Sequence, residues 1–205
     1  HSTAVLLAVA PAMEMEGFQE ELGECPVSCI FEFVPLVQAP SREVYPPAPY
    51  RDILFEIYGA LGMQAHEGSR ESPLLPEQCQ IEVDINYEDE YALLVVRHYG
   101  QDFLEEVEQL THELASQQLT TLQIDLPLFE PATRRLTGKL KELGYIFSGL
   151  MPFYHEGLDY LRLQRIPAGF EFGYVQTFSQ LGRKLKNITS KEYHEVQTGK
   201  QASRN

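Results

Sequence analysis

Few residues of this chain could do chemistry, and the first candidate is a histidine. His98 follows an apolar run, Tyr91–Val96, that predicts a buried β-strand. Open α/β sheets bind ligands beyond the carboxyl ends of their strands, so an imidazole at this place could act as a general base at neutral pH. No nucleophile is identified beside it. His98 is therefore a candidate catalytic residue, and an exposed or structural histidine is the alternative.

Three cysteines raise a second chemical possibility, a metal or redox site. Cys25 and Cys29 form a C-x-x-x-C pair around Pro26, but no second pair and no nearby histidine complete the four ligands of a zinc site. With Cys79 the number is odd, whereas a secreted scaffold of this size more often carries an even and denser set. We therefore expect buried, reduced thiols, no metal and a cytoplasmic location.

The acidic composition argues against some partners. The formal net charge is −14, and the acidic residues concentrate in two stretches, Glu14–Glu32 and Glu82–Glu90. Nucleic acid or an anionic membrane surface would meet net repulsion from this chain. No apolar run is long enough to span a bilayer. We expect neither nucleic acid nor a membrane as a partner.

The residue pattern predicts a smaller first half, residues 1–64, that ends in a linker. Two apolar runs, Val5–Ala10 and Ile30–Val37, indicate strands, and Tyr50–Leu61 places apolar residues at helical spacing. Residues 65–78 combine glycine, serine and proline, a composition typical of a linker or mobile loop. The first half is therefore expected to be a compact strand-and-helix unit.

The second half, residues 79–167, alternates strands and helices. Its predicted elements are strand 81–85, strand Tyr91–Val96, a helix from Asp102 as N-cap to about Gln118, strand Leu122–Leu126, a helix between Pro131 and Gly144, and strands Tyr145–Pro152 and Tyr160–Ile166. The uniformly apolar Tyr91–Val96 is expected at the centre of the sheet. Residues 168–205 add a helix, Tyr174–His194, and a tail beyond Thr198 expected to be disordered. The pattern predicts an α/β (α+β) fold.

This succession resembles the GNAT superfamily of acyl-CoA-dependent N-acetyltransferases over somewhat more than a third of the chain. The resemblance rests on Glu130–Thr133, which opens a helix, and on Leu140–Phe147, which closes it with a Leu-Gly-Tyr exit. The strand residues Asp159–Gln164 also look like GNAT-like regions attached to bacterial anti-sigma-factor-type ATPases. The resemblance implies a mixed central sheet flanked by helices.

In that family a loop of the type Q/R-x-x-G-x-G/A binds the pyrophosphate of the coenzyme through backbone amides. The equivalent positions here are Arg97, Tyr99, Gly100 and Gln101, and Gly100 is the loop's one glycine. Three acidic residues follow: Asp102, Glu105 and Glu106. Like charges 5–8 Å apart near a surface repel by about 2–3 kcal/mol per pair. The sequence therefore predicts that coenzyme A does not bind here.

The family's usual proton donor is a tyrosine four residues before a glycine. In the second half that position is Leu140, which cannot donate a proton, whereas the same offset from Gly62 gives Tyr58. Tyr58 also completes the apolar stripe of its predicted helix. It is therefore either a surviving general acid or a core residue.

We hypothesise a GNAT-like regulatory or sensory module of a larger bacterial signalling protein, without acetyltransferase activity and without a cofactor. Such a module would bind a small ligand, a protein partner or another domain of its parent protein. One alternative is a divergent N-acetyltransferase that uses acetyl-CoA, with Tyr58 and His98 facing one cleft. The other is a structural dimerisation domain.

Overall fold

The computed structural model describes residues 1–10, 27–36 and 38–202 of the chain, so Cys25 and Val37 lie outside the described residues. The strands are β1 (Ser2–Ala10), β2 (Val27–Glu32), β3 (Arg42–Val44), β4 (Ala65–Glu67), β5 (Gln80–Asn86), β6 (Tyr91–His98), β7 (Thr121–Pro127), β8 (Ile146–His155) and β9 (Leu158–Arg165). The helices are α1 (Arg51–Ala60), α2 (Phe103–Ser116), α3 (Thr133–Glu142) and α4 (Gln180–Ala202). Mixed strands and helices confirm the predicted fold class.

Seven strands form one mixed sheet in the order β2-β1-β8-β9-β7-β6-β5. The prediction that Tyr91–Val96 is central is wrong, because β6 is second from one edge and β9 occupies the middle. The run is apolar because its side chains are buried on both faces of the sheet, Leu94 and Val96 on one and Leu93 and Val95 on the other. β1 pairs with β8 through Ala4 and Gly149, which joins the strands of the first half to those of the second.

Several boundaries differ from the sequence prediction, among them the following three. β2 ends at Glu32 because its partner β1 begins at Ser2, which faces Glu32 in the register. Residues 65–67, predicted as part of a linker, form β4 and pair in parallel with β3, an interaction that local composition does not reveal. α4 begins at Gln180 and continues to Ala202, past the point where disorder was expected. The Thr198 hydroxyl donates to the His194 carbonyl within this last part (2.8 Å).

The helices pack against one face of the seven-stranded sheet. The main hydrophobic core joins helical side chains to alternate strand residues, such as Leu122 and Ile124 on β7 and Leu161 and Leu163 on β9. The intervening strand residues form a smaller cluster that includes Tyr160 and contains strand and loop residues alone. Among the described residues, the helices therefore cover one face, and we call the other the opposite face.

Strands β6, β7 and β8 end at one edge of the sheet, here called the carboxyl edge. β6 and β7 are parallel, and β9 runs antiparallel to both β7 and β8, so β6, β7 and β8 share one direction. β3 leads to this edge, where the Tyr45 N–H donates to the Leu128 carbonyl (2.7 Å) and the Leu128 N–H donates to the Asp159 carbonyl (3.0 Å). Ligand sites of open α/β sheets commonly lie at such an edge.

None of the described helices combines the length and the apolar character that crossing a membrane requires.

Candidate functional site

The predicted coenzyme loop follows β6 at the carboxyl edge and is bonded to the segment 75–79 of the same chain. The backbone N–H of Gln101 donates to the Pro76 carbonyl (2.9 Å). The side-chain amide of Gln101 donates to the Leu75 carbonyl (3.0 Å). The Gln101 amide, which the family resemblance assigns to a phosphate, is therefore already satisfied within the chain.

Asp102 fastens the other end of segment 75–79 to the start of α2. Its carboxylate accepts a hydrogen bond from the Cys79 N–H (2.7 Å) and makes no capping bond to its own helix. The predicted position of Asp102 at the N-cap is right, but the capping role is wrong because Cys79 takes the carboxylate. Burial, followed by Asp102, raises the pKa of the Cys79 thiol to about 11, so the thiol is protonated at neutral pH.

Gly100 lies against the backbone of the same segment. A Cβ atom there would come 2.2 Å from the Cys79 nitrogen and 2.3 Å from the Gln78 carbonyl carbon. Such distances leave no room for a side chain, so the close approach of segment 75–79 explains why this residue is glycine.

The charges around the loop are those that the sequence predicts. Glu105 and Glu106 stand in the first turn of α2. The Arg97 guanidinium donates to the Glu82 carboxylate (2.8 Å) and lies 3.8 Å from that of Glu156. The one cation of the loop is therefore already paired with acids of its own chain.

Tyr99 and His98 have different surroundings although they are neighbours. The Tyr99 hydroxyl is buried 2.9 Å from that of Thr133, and its ring meets Phe103 edge-on, so Tyr99 packs in the core. His98 has an exposed side chain and pairs with Gln80 on the edge strand β5.

Tyr58, the candidate general acid, is enclosed in the core beneath α1. Its hydroxyl donates to the Asp159 carboxylate (2.8 Å), and the residue is 1% exposed. Burial, followed by the Asp159 charge and hydrogen bond, raises the pKa of Tyr58 well above its ordinary value. Tyr58 contacts Asp159 of β9, whereas His98 lies opposite Gln80 of β5. As placed here, Tyr58 is a poor proton donor at neutral pH.

Asp159, the partner of Tyr58, belongs to a loosely joined ion pair at the carboxyl edge. Its second oxygen accepts from the Phe153 N–H (3.0 Å). The Arg42 guanidinium approaches it only to 3.8 Å and lies over the Phe153 ring, 4.1 Å from the ring centre. This carboxylate was not among the predicted site residues.

A second ion pair on the opposite face was also missed. Arg162 donates two hydrogen bonds to Asp125, each 2.6 Å, and both residues are almost fully buried. The His155 Nε2 lies 2.7 Å from the second Asp125 oxygen. Burial alone would raise the pKa of Asp125, but the Arg162 charge, its hydrogen bonds and His155 hold that pKa below its ordinary value.

A sequence signal for the second pair existed. Gln123 and Asp125 alternate with apolar residues in β7, yet every residue of that strand is buried. Polar residues at alternate positions are usually taken as a solvated face. They meet polar residues of β9 instead, and Asp125 faces Arg162 directly in the register. Only the non-local pairing of β7 with β9 identifies them as a buried network.

The thiols do not all have the burial that the sequence predicts. Cys29 is exposed, so the expectation of buried thiols is wrong for this residue, which lies on the edge strand β2. Within residues 1–10, 27–36 and 38–202, no group of three or more histidine, cysteine, aspartate or glutamate side chains could hold a metal ion.

Comparisons with known proteins do not extend this description. No protein-family model, no curated protein and no solved structure matches the chain.

Proposed function

We propose that this chain is a GNAT-like module without acetyltransferase activity, which acts by binding a small ligand or a protein partner within a larger bacterial signalling protein. The supporting observation is the loop after β6, where the Gln101 amide is bonded to Pro76 and the chain itself packs against Gly100. A diphosphate would have to displace segment 75–79 before it met these amides.

Electrostatics support the same proposal. A coenzyme diphosphate placed beside the first turn of α2 would approach Glu105 and Glu106, whose charges oppose the favourable dipole of the helix N-terminus. Arg97 offers little compensation because Glu82 and Glu156 already neutralise it.

The surroundings of Tyr58, the candidate proton donor, are a third argument. An acetyltransferase needs an acid that can reprotonate the leaving thiolate, and its pKa should lie near the working pH. The Tyr58 hydroxyl is buried and donates to a carboxylate, which raises its pKa instead.

Titration of the full chain with acetyl-CoA and with CoA, followed by thermal unfolding and calorimetry, tests the proposal. We expect no saturable change in Tm. A coenzyme that did bind would raise Tm by about 3–6 °C at ten times its Kd. Saturable stabilisation by acetyl-CoA would contradict the proposal and support the divergent acetyltransferase.

A charge variant separates the two reasons why the coenzyme should not bind, which are charge repulsion and occupation of the loop by segment 75–79. Glu105→Gln combined with Glu106→Gln removes the repulsion but leaves the bond between Gln101 and Pro76 in place. We expect this variant to remain without coenzyme binding, since segment 75–79 still occupies the loop. Coenzyme binding gained by the variant would mean that repulsion alone excludes the diphosphate.

A further inference from the structure

A cavity of about 160 Å³ lies at the carboxyl edge, beside the Arg42–Asp159 pair. Its wall combines three charged residues with apolar side chains: Arg42, Glu43 and Asp159, and Val44, Phe129 and Leu158. The volume suits a ligand of a few non-hydrogen atoms. A polar end with apolar sides is the usual composition of a small-molecule site.

The hydrogen-bond donors of Arg42 lack acceptors. Among the described residues, the guanidinium has an ion contact of 3.8 Å with Asp159 and the stacking contact with Phe153, but no hydrogen bond. Its Nε atom is buried without a partner. A buried charged donor without an acceptor is costly, and such an atom often indicates a ligand, ion or water.

Arg97 and Arg134 also have an unpartnered Nε atom, but the Nη2 atom of each donates a hydrogen bond. Arg97 donates to Glu82, and Arg134 donates to the Gly68 carbonyl. Arg42 therefore differs from them in making no hydrogen bond at all among the described residues.

Both oxygens of Asp159, by contrast, already accept hydrogen bonds. One Asp159 oxygen accepts from the Tyr58 hydroxyl and the other from the Phe153 N–H. Glu43, which also lines the cavity, accepts hydrogen bonds from Arg70 and Tyr45 at one oxygen, Oε1. Arg42 has donors to offer and Asp159 is already bonded, so this side of the cavity suits an anion better than a cation.

We propose that this cavity binds a small aliphatic monocarboxylate through Arg42. This inference rests on the proposed function, since it identifies a ligand class for a binding module. A planar carboxylate matches two N–H groups of a guanidinium, and a short aliphatic tail would contact Val44, Phe129 and Leu158. A doubly charged phosphate is less suitable, because Asp159 and Glu43 would repel it more strongly.

The test compares propionate with propionamide, which has nearly the same shape but no charge. Thermal unfolding of the full chain is followed in each ligand, with sodium chloride at matched ionic strength as the reference. We expect propionate to raise Tm saturably, by about 3–6 °C at ten times its Kd, and propionamide to have no such effect. An equal response to both ligands, or no response beyond that of sodium chloride, would overturn the proposal.

Variants then locate the bound carboxylate. Arg42→Gln should weaken propionate binding by about 10- to 100-fold, the equivalent of one hydrogen bond to a charged group. Arg183→Gln removes the same charge from an exposed arginine on α4 and should bind as the wild type does. Unchanged binding by Arg42→Gln would place the ligand elsewhere and overturn the assignment.

The two proposals can fail independently. Saturable binding of acetyl-CoA would overturn the non-catalytic function, whatever propionate does. Failure of propionate to bind, with acetyl-CoA also unbound, would overturn the carboxylate site and leave the non-catalytic module standing.

Discussion

Two arginine–aspartate pairs share strand β9 but differ in almost every respect. Arg162 of β9 reaches across to Asp125 of β7 with two hydrogen bonds of 2.6 Å on the opposite face of the sheet. Asp159 of β9 has its arginine, Arg42, at 3.8 Å on the carboxyl edge. The first we call the closed pair and the second the open pair.

The two pairs differ in the groups that donate hydrogen bonds to the carboxylate. Asp125 depends on Arg162 and His155, both charged or chargeable side chains. Asp159 takes its hydrogen bonds from neutral donors, the Tyr58 hydroxyl and the Phe153 N–H. In the closed pair the Arg162 guanidinium donates its hydrogen bonds to Asp125. In the open pair the Arg42 guanidinium has N–H groups left for another acceptor. We therefore interpret the closed pair, with its short contacts, as structural. The open pair has a long contact beside a cavity, and it is the pair that we propose binds a ligand.

The largest expected effect is the loss of the closed pair. Arg162→Met would leave Asp125, which is fully buried, without its guanidinium. We expect a loss of about 3–5 kcal/mol in the free energy of unfolding, measured by urea denaturation. A loss below about 1 kcal/mol would show that Asp125 does not depend on Arg162 and would break the comparison.

A double variant serves as the control for that measurement. Asp125→Asn together with Arg162→Met removes both charges at once. It should be more stable than Arg162→Met alone, since no buried charge is left unpaired. A double variant that is less stable than the single one would contradict this explanation.

The neutral donors of the open pair give the next largest effect. Tyr58→Phe removes one hydrogen bond to a buried carboxylate, so we expect a loss of about 1.5–3 kcal/mol in unfolding free energy. Tyr99→Phe is a matched control, because that hydroxyl meets the neutral Thr133 and should cost about 0.5–1.5 kcal/mol. Equal losses in the two variants would show that the Asp159 charge does not rely on Tyr58.

The loss of stability at acid pH also tests the closed pair. We expect this effect to be smaller than that of Tyr58→Phe, since a protonated Asp125 still fills its site. The pKa of Asp125 is lowered in the folded state, so its stabilising contribution is present above the unfolded pKa, about 4. That contribution is lost as the pH falls through the lower, folded pKa. Urea denaturation from pH 6 to about pH 2 should show a steeper loss for the wild type than for Asp125→Asn. Parallel curves would mean that Asp125 titrates alike in both states.

Most helices and strands of this chain could be predicted because the residue patterns that specify them lie within a few consecutive positions. The apolar stripe of α1 and the acidic first turn of α2 each arise within a few residues, and both are observed. β6 was found as a strand, but its place in the sheet was not, because strand order depends on pairings between distant residues.

The site was harder to predict for the same physical reason. The charge of Glu105 and Glu106 could be read directly, whereas the contact of Gly100 with segment 75–79 joins residues about 20 apart. The open pair joins residues still more distant, Arg42 and Asp159. Nothing in the residues around Arg42 distinguishes an arginine with unused donors from a solvated one.

The smallest effect on stability is expected from a substitution of Arg42, and this substitution contrasts most directly with that of Arg162. Arg42→Met is the same substitution as Arg162→Met, but Asp159 keeps its hydrogen bonds from Tyr58 and Phe153. We therefore expect a loss of about 1 kcal/mol or less in urea denaturation, because the ion contact is long and the substitution removes no hydrogen bond from Asp159. A loss of 3 kcal/mol or more would show that Arg42 stabilises the buried Asp159 charge much as Arg162 stabilises Asp125. In that event the open pair would be structural, and its unused donors would no longer argue for a ligand.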